Sequence, residues 1–332
     1  MASSDSTSPS WHDLAGRVLG GHRLTEDEGL AVLRSGDEEM LELLAAVYRV
    51  RRRHAGNKVR LNFLMNAKSG LCTEDCGYCS QSSISKADIP KYKLVAPEQI
   101  LDGARVAAER KAKTYCTVIS GRRPGEKELD TFCEIARQIK TSYRLNVCLS
   151  PGFLTTEQAR RLKAAGVDRV NHNLNSSERF YPQICTTHAY QDRLDTLRAV
   201  RAAGMEICSG GIVGMGEKDA DVVELALRLA ELKVEVVPVN FLLPIAGTPL
   251  ADVRRLNPRY CLKVLALFRL ANPGCELRIA AGREEHLGSL QSLGLYAADG
   301  IFVGDYLTAK GQPPEEDYRM IEAMGFEVVV EE

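Results

Sequence analysis

The chain has 332 residues, 45% hydrophobic and 26% charged, with a formal net charge of −1. That balance is a globular one with length enough for a large core, and it lacks the basic footprint of a dedicated nucleic-acid surface. No run reaches the length of a membrane span and no signal-peptide pattern opens the chain, so ten cysteines are expected in a reducing compartment, the cytoplasm by default.

In chain order, residues 1–10 ("MASSDSTSPS") read as a disordered lead-in and residues 11–58 as N-terminal helices. Apolar periodicity in "TEDEGLAVLRSGD" and "DEEMLELLAAVYRVRRR" carries the helices. The basic run Arg49 to Arg60 reads as a solvated helix end, its cations favoured by the helix dipole. From residue 59 to 332, β-branched runs alternate with amphipathic stretches. Strands are expected at 60–67, 114–120, 144–150, 168–175, 205–214, 235–243, 276–282 and 300–307. Helices are expected between them, as at 96–113 and 155–166, the latter capped by Thr156 and stopped at Gly166, with a last one in "PPEEDYRMIEAMGF". Eight strands each followed by a helix predict an α/β fold, a closed (β/α)8 TIM-type barrel with N-terminal helices and a C-terminal helix. An open doubly wound sheet is the alternative.

Barrel chemistry sits on the loops after the strands. The stretch "SGLCTEDCGYCSQSS" follows the first strand and sets Cys72, Cys76 and Cys79 within eight residues. Soft thiolates suit zinc, copper(I) or iron–sulfur clusters. A structural zinc site needs a fourth ligand, and neither flank offers one at finger-like spacing. A four-iron cluster held by three thiolates leaves one iron open to a small molecule. The spacing favours that reading over zinc or idle thiols.

The inner faces narrow the chemistry. Strand alternation puts Asn171, Asn173 and Asn175 on one side of the fourth strand and His172 and Leu174 on the other. Buried parallel strands normally read as continuous Val, Ile and Leu, so a row of amides points to a polar ligand, and a urea-like group would suit it. Cys116, Cys148 and Cys208 fall in the second, third and fifth strands, and Arg278 in the seventh is a charge where a barrel would bury it. Such an arginine needs an anionic or metal-bound partner. Cys133, Cys185, Cys261 and Cys275 fall in helices or loops and read as structural, and His172 as a packing residue.

Cys72-x3-Cys76-x2-Cys79, with Tyr78 before the last cysteine, resembles the signature of radical S-adenosylmethionine (SAM) enzymes. "CSGGIVGMGE" resembles that family's glycine-rich adenine-contacting segment, its glycines letting backbone approach a flat ligand and Ile212 packing on the purine. "NHNLNSS", "LRIAAGREE" and "GIFVGDYLT" extend the resemblance to the biotin synthase family, over almost the whole chain from Trp11. The resemblance implies a [4Fe–4S] cluster on Cys72, Cys76 and Cys79. It implies a [2Fe–2S] cluster on Cys116, Cys148, Cys208 and Arg278.

Tyr78, Asn173, Asn175, Arg193 and Ile212 would bind SAM, and Asn171, Asn240 and Thr308 the substrate dethiobiotin, with Asn171, Asn173 and Asn240 contacting SAM or the ureido ring. The implied reaction is sulfur insertion by a 5′-deoxyadenosyl radical, with sulfide drawn from the second cluster. A flavodoxin-type electron donor, iron–sulfur assembly proteins and a homodimer are implied as partners. Asn175 stands where some members carry aspartate, Ala309 where a second threonine is common, and "SGRRPG" lacks the usual glycine–glycine–glutamate. The competing readings are another radical SAM enzyme, such as a mutase or hydrogenase-maturation protein, and a non-catalytic zinc or electron-carrying scaffold.

Overall fold

The computed structural model describes residues 10–329, so the expected lead-in lies, but for Ser10, outside the described residues. Three helices open the described chain: α1 (Trp11–Leu19), α2 (Glu26–Arg34) and α3 (Met40–Ala55). Ser10 caps α1 by accepting from the Asp13 amide. Thr25 and Glu28 form a reciprocal capping box on α2. Glycine at position 29 lets α2 lie tightly on α8 (Asp219–Glu231) and α9 (Pro258–Ala271), since a Cβ there would sit 2.7 Å from Val223 and 3.2 Å from Leu267.

The strands are β1 (Lys58–Lys68), β2 (Thr114–Ile119), β3 (Asn146–Ser150), β4 (Arg169–Asn171), β5 (Glu206–Cys208), β6 (Gly211–Val213), β7 (Val236–Phe241), β8 (Glu276–Ile279) and β9 (Gly300–Phe302). All neighbours pair in parallel, and β9 returns to β1 through Arg60↔Gly300 to Asn62↔Phe302. That pairing closes the sheet and excludes the open doubly wound alternative. β5 and β6 are two halves of one broken stave, both paired with β7, so the barrel has eight staves. A short β10 (Glu327–Val328) adds to the start of β1. The outer ring comprises α4 (Pro97–Glu109), α5 (Glu126–Ser142), α6 (Thr156–Ala164), α7 (Tyr190–Ala202), α8, α9 and α10 (Arg283–Leu287), and α11 (Pro314–Ala323) lies near the C-terminus.

Three local expectations change. The α6 cap is Thr155 rather than Thr156: its hydroxyl accepts from the Gln158 amide at 3.2 Å while the Gln158 side chain accepts from the Thr155 amide at 3.1 Å. The helix still stops at Gly166, at φ 96°. The fourth stave ends at Asn171, because the chain then turns and Asn175 adopts φ 70°; strand parity fails beyond that point. The basic run does end a helix, but Arg51 is fully buried. Its guanidinium donates to the carbonyls of Lys58 at 2.7 Å and Ala298 at 3.3 Å, and also to that of Gly56, stapling α3 beneath the barrel.

Asp299 ties the same end together. It accepts from Arg269, from Arg60 at 2.7 Å and from the Leu277 amide at 2.9 Å, and both Arg269 and Asp299 are buried. Removing one member of a buried ion pair strands the other charge. Asp299→Ala is expected to cost about 3–5 kcal/mol in urea unfolding; a loss under about 1 kcal/mol would show the arginines resolvated. At the α2 cap, burial raises the Glu28 carboxyl, but its bonds to Thr25, His22 and Arg17 outweigh burial and hold it at about 2 against an ordinary 4.5. A folded value below the unfolded one means stability present above pH 4.5 and lost as pH falls toward 2. Glu28→Gln should remove about 1 kcal/mol at neutral pH, solvent screening most of the effect at this exposed cap, and flatten the acid limb of unfolding. An acid limb that keeps its slope would count against this.

Candidate active site

The cysteine loop leaves β1 and is closed at its base by paired backbone bonds between Ser69 and Tyr92, at 3.0 and 3.1 Å. It is pinned farther out by Gly77 N to Ile184 O and Lys86 N to Gly247 O, both 2.8 Å. Cys72, Cys76 and Cys79 all line one cavity of about 370 Å³ at the C-terminal mouth of the barrel. Burial pushes the Cys79 thiol up to about 11 and raises Cys72 as well; Cys76 is raised chiefly by its hydrogen bond with Cys185. Thiols so reluctant to ionise are deprotonated by a coordinated metal, so loading this loop releases protons.

A segment that sequence reading passed over holds the loop in place. Cys185, Thr186, Thr187 and His188 grip the adjacent acids Glu74 and Asp75. Asp75 Oδ1 accepts from the amides of Thr186 at 2.9 Å and Thr187 at 3.2 Å, and from the Cys185 thiol at 3.2 Å. Glu74 accepts from the Thr187 hydroxyl at 2.7 Å, from Arg122 at 3.1 Å and from His188 Nδ1. Cys185 is therefore no remote structural thiol: its sulfur lies 3.8 Å from that of Cys76. Ligand atoms of Cys76, Cys185 and His188 lie within 4.8 Å of one another. Both imidazole nitrogens are already engaged, however, by Glu74 on one side and Tyr181 and Arg193 on the other. The ring is a hydrogen-bond hub.

Behind the loop, the residues expected to bind SAM converge on the same cavity. The Asn175 amide donates to the Tyr78 phenol at 2.6 Å, and burial pushes that phenol well above its ordinary range. Arg193 is buried; it donates to the Asn173 carbonyl at 2.9 Å and to Tyr181. Asn173 Oδ1 accepts from the Gly210 amide at 3.0 Å. Asn171, Asn173, Asn175, Arg193, Ile212 and Asn240 all line the cavity. Asn240 has both amide ends engaged, donating to Gly211 O at 3.0 Å and accepting from Ala281 N at 3.2 Å. His172 also borders the cavity and packs edge-on against Phe153, as expected of a packing residue, and burial holds it well below its usual range.

Two glycines of the fifth stave also meet a need within the protein itself. A Cβ at position 210 would lie 1.9 Å from the Pro238 carbonyl oxygen, and one at 211 would lie 2.8 Å from that of Asn175. They admit neighbouring backbone at the point where the stave breaks. Thr308 is on the rim, its hydroxyl 2.8 Å from that of Ser80; Ala309 lines the cavity beside it, whereas Lys310 is exposed and outside.

The strand cysteines lie inside the barrel. Register places Cys116 directly opposite Cys148, and Asn171 opposite Cys208. The sulfurs of Cys116 and Cys148 are 3.1 Å apart, and the Asn171 amide is 3.1 Å from the Cys208 sulfur. Hydrogen bonding to Cys116, with burial, pushes the Cys148 thiol well above its usual range, and bonding to Cys148 does the same for Cys208; the Arg278 charge pulls both back. Arg278 is itself fully buried and donates to Glu276 at 2.6 Å, a carboxylate one turn of the pleat below that sequence reading also missed. Three soft sulfurs gathered inside the barrel suit an iron–sulfur group and not an apolar core, and the Arg278 cation beside them offsets their charge as thiolates.

Residues 67–229 match the profile of the Radical SAM superfamily, and residues 238–327 that of the Biotin and Thiamin Synthesis associated domain. The closed barrel with a three-cysteine loop at its mouth is thus a radical SAM barrel. Among solved structures it resembles methylornithine synthase (TM-score 0.83, 20% identity, 95% of this chain and 97% of that one). It also resembles the FeFe-hydrogenase maturase of Carboxydothermus hydrogenoformans (TM-score 0.80, 18% identity, 96% and 79%); both are likenesses of fold. The chain is 55% identical over 321 residues to the biotin synthase of Rhodopirellula baltica, covering 96% of this chain and 89% of that protein. It is 55% identical over 318 residues to that of Anoxybacillus flavithermus, covering 96% and 97%. The chain belongs to the biotin synthase family of radical SAM enzymes. Among the described residues, no helix is long and apolar enough to cross a membrane.

The tight passage at Gly210 gives a direct test of how the site is built. Gly210→Ala must push a methyl group into the Pro238 carbonyl, and it is expected to cost roughly 3 kcal/mol or more in chemical unfolding. Undiminished stability would mean that the fifth stave can slide, and that its break does not fix Asn173 and Ile212.

Proposed function

We propose that the protein makes biotin from dethiobiotin by inserting sulfur between two unactivated carbons. One observation supports this above the rest: the loop cysteines and the strand set of Cys116, Cys148, Cys208 and Arg278 line a single cavity. When bound, a [4Fe–4S] cluster on Cys72, Cys76 and Cys79 with SAM would supply a 5′-deoxyadenosyl radical, and a [2Fe–2S] cluster on the strand set would supply sulfide. Unactivated C–H bonds offer no acidic proton, so the side chains bind, orient and exclude water.

In this reading the mouth serves the cosubstrate. Tyr78, Asn173, Asn175, Arg193 and Ile212 form its wall, and the buried Arg193 offers a fixed positive charge to a carboxylate. Asn171 and Asn240 present amides toward a ureido ring. An apolar strip of Leu64, Ala280, Phe302 and Ala309 suits an alkyl chain. Thr308 and Ser80 stand at the rim, where hydroxyls can hold the chain's terminal carboxylate. Glu276 holds Arg278 in place beside the strand cysteines by accepting from its Nε. A flavodoxin-type reductant, assembly proteins for the clusters and a homodimer belong to the same proposal.

The test is anaerobic reconstitution with iron and sulfide, followed by iron counting and measurement of deoxyadenosine and biotin formed with dethiobiotin. Cys148→Ala is expected to keep the loop's iron and its SAM cleavage while biotin falls below about a hundredth of wild type. Full biotin turnover by that variant would reject the sulfur-donor role, and a wild-type protein that forms no deoxyadenosine would reject the function.

A further inference from the structure

His188, which no part of the chemistry above uses, lies at the centre of a continuous hydrogen-bonded path. It is buried, with a side-chain exposure of 1%, and its neighbours fix its proton. Glu74, an anion held by Thr187 and Arg122, can only accept, so Nδ1 carries the hydrogen and donates to it. Arg193 can only donate, so Nε2 is the acceptor that receives its Nη2 at 3.0 Å, with the Tyr181 hydroxyl 2.6 Å from the same nitrogen. Tyr181 in turn accepts from Arg193 Nε. The other nitrogen, Nη1, donates to the Asn173 carbonyl. Arg193 is thereby held on its Nε, Nη1 and Nη2 nitrogens. Arginine is fixed by such a fork far more closely than by charge alone.

The path runs from the cysteine loop to the turn after the fourth stave: Glu74, two residues before Cys76, then His188, then Arg193, then Asn173. We propose that His188 is a positioning residue, which transmits the seat of the cysteine loop to Arg193 and so sets the affinity for the anionic end of SAM. The inference rests on the reading that Arg193 binds SAM, and it adds what aims that arginine. The Phe153 ring packs edge-on against His188 at 5.0 Å, which gives the rival account in which the imidazole merely fills space.

Two variants separate these accounts. His188→Leu keeps apolar volume and loses the bonds to Glu74, Arg193 and Tyr181; His188→Gln keeps an acceptor for Arg193 and a donor for Glu74. Both would be reconstituted anaerobically, with iron per chain counted and SAM binding measured by equilibrium dialysis. The leucine variant is expected to bind SAM about tenfold or more weakly with iron per chain unchanged, since losing a bond to a charged group is worth at least that factor. The glutamine variant should stay within about threefold of wild type. Wild-type affinity in the leucine variant would overturn the proposal. So would a glutamine variant as weak or as unstable as leucine, which would assign the ring to packing, or loss of iron from leucine, which would assign it to holding the cluster loop. A wild-type protein that binds no SAM would instead overturn the function on which the inference rests.

Discussion

Desolvation of polar atoms inside a closed barrel is the constraint to which the rest of this molecule answers. Parallel staves ordinarily fill their interior with branched apolar side chains. Here the inner ends carry thiols, amides and a guanidinium, each of which costs about 1–3 kcal/mol if left unmatched. The matching is local and nearly complete: Asn171 with Cys208, Asn173 with Gly210, Asn240 with Gly211 and Ala281, Arg278 with Glu276. His172 Nε2 is a buried atom without a partner on this wall. Because the polar groups are satisfied by one another, their positions are fixed before any ligand arrives, and a site set by rigid staves is more exact than one set by loops alone.

The two cysteine sets solve the positioning problem in different ways. Cys116, Cys148 and Cys208 inherit their places from the register of β2, β3 and β5, and Arg278 from β8. No loop needs to be ordered for that set to exist. Cys72, Cys76 and Cys79 sit instead on a long excursion that would be costly to order by itself. The cost is met by neighbours: a two-bond closure at Ser69 and Tyr92, and the grip of residues 185–188 on Glu74 and Asp75. The acids between the first two cysteines are thus anchors, and the loop's rigidity is borrowed from the segment that follows the fourth stave.

Much of the fold was legible because it is local. Alternation of β-branched runs with amphipathic stretches located all eight staves, and the spacing of three cysteines marked the mouth. What escaped was whatever depends on contact between distant segments. Strand parity implied one amide row from Asn171 to Asn175, yet a left-handed backbone at Asn175 ends the pleat, and the amides reach the cavity from a turn. Nothing in the glycine-rich segment showed that positions 210 and 211 also make room for Pro238 and the Asn175 backbone. Arg51 looked solvated in a basic run, since nothing in that run reveals the carbonyls of Lys58 and Ala298 waiting for it.

The residues missed at the site follow the same rule. Glu276 shares a strand face with Arg278, so alternation alone could have suggested a carboxylate beneath the buried cation. Glu74, Asp75 and the run from Cys185 to His188 carried no such hint, for 110 residues separate Cys185 from Asp75. Their pairing becomes visible only when the barrel closes and brings the first and fourth mouths together. A charge on Glu74 has no use until Thr187, Arg122 and His188 surround it, and a neutral acceptor at His188 has none until Arg193 is buried beside it. The chemistry-bearing cysteines can be read from spacing because one cluster must be reached by one short segment. The groups that aim the cosubstrate's arginine cannot, because hydrogen bonds join whatever the fold has made adjacent.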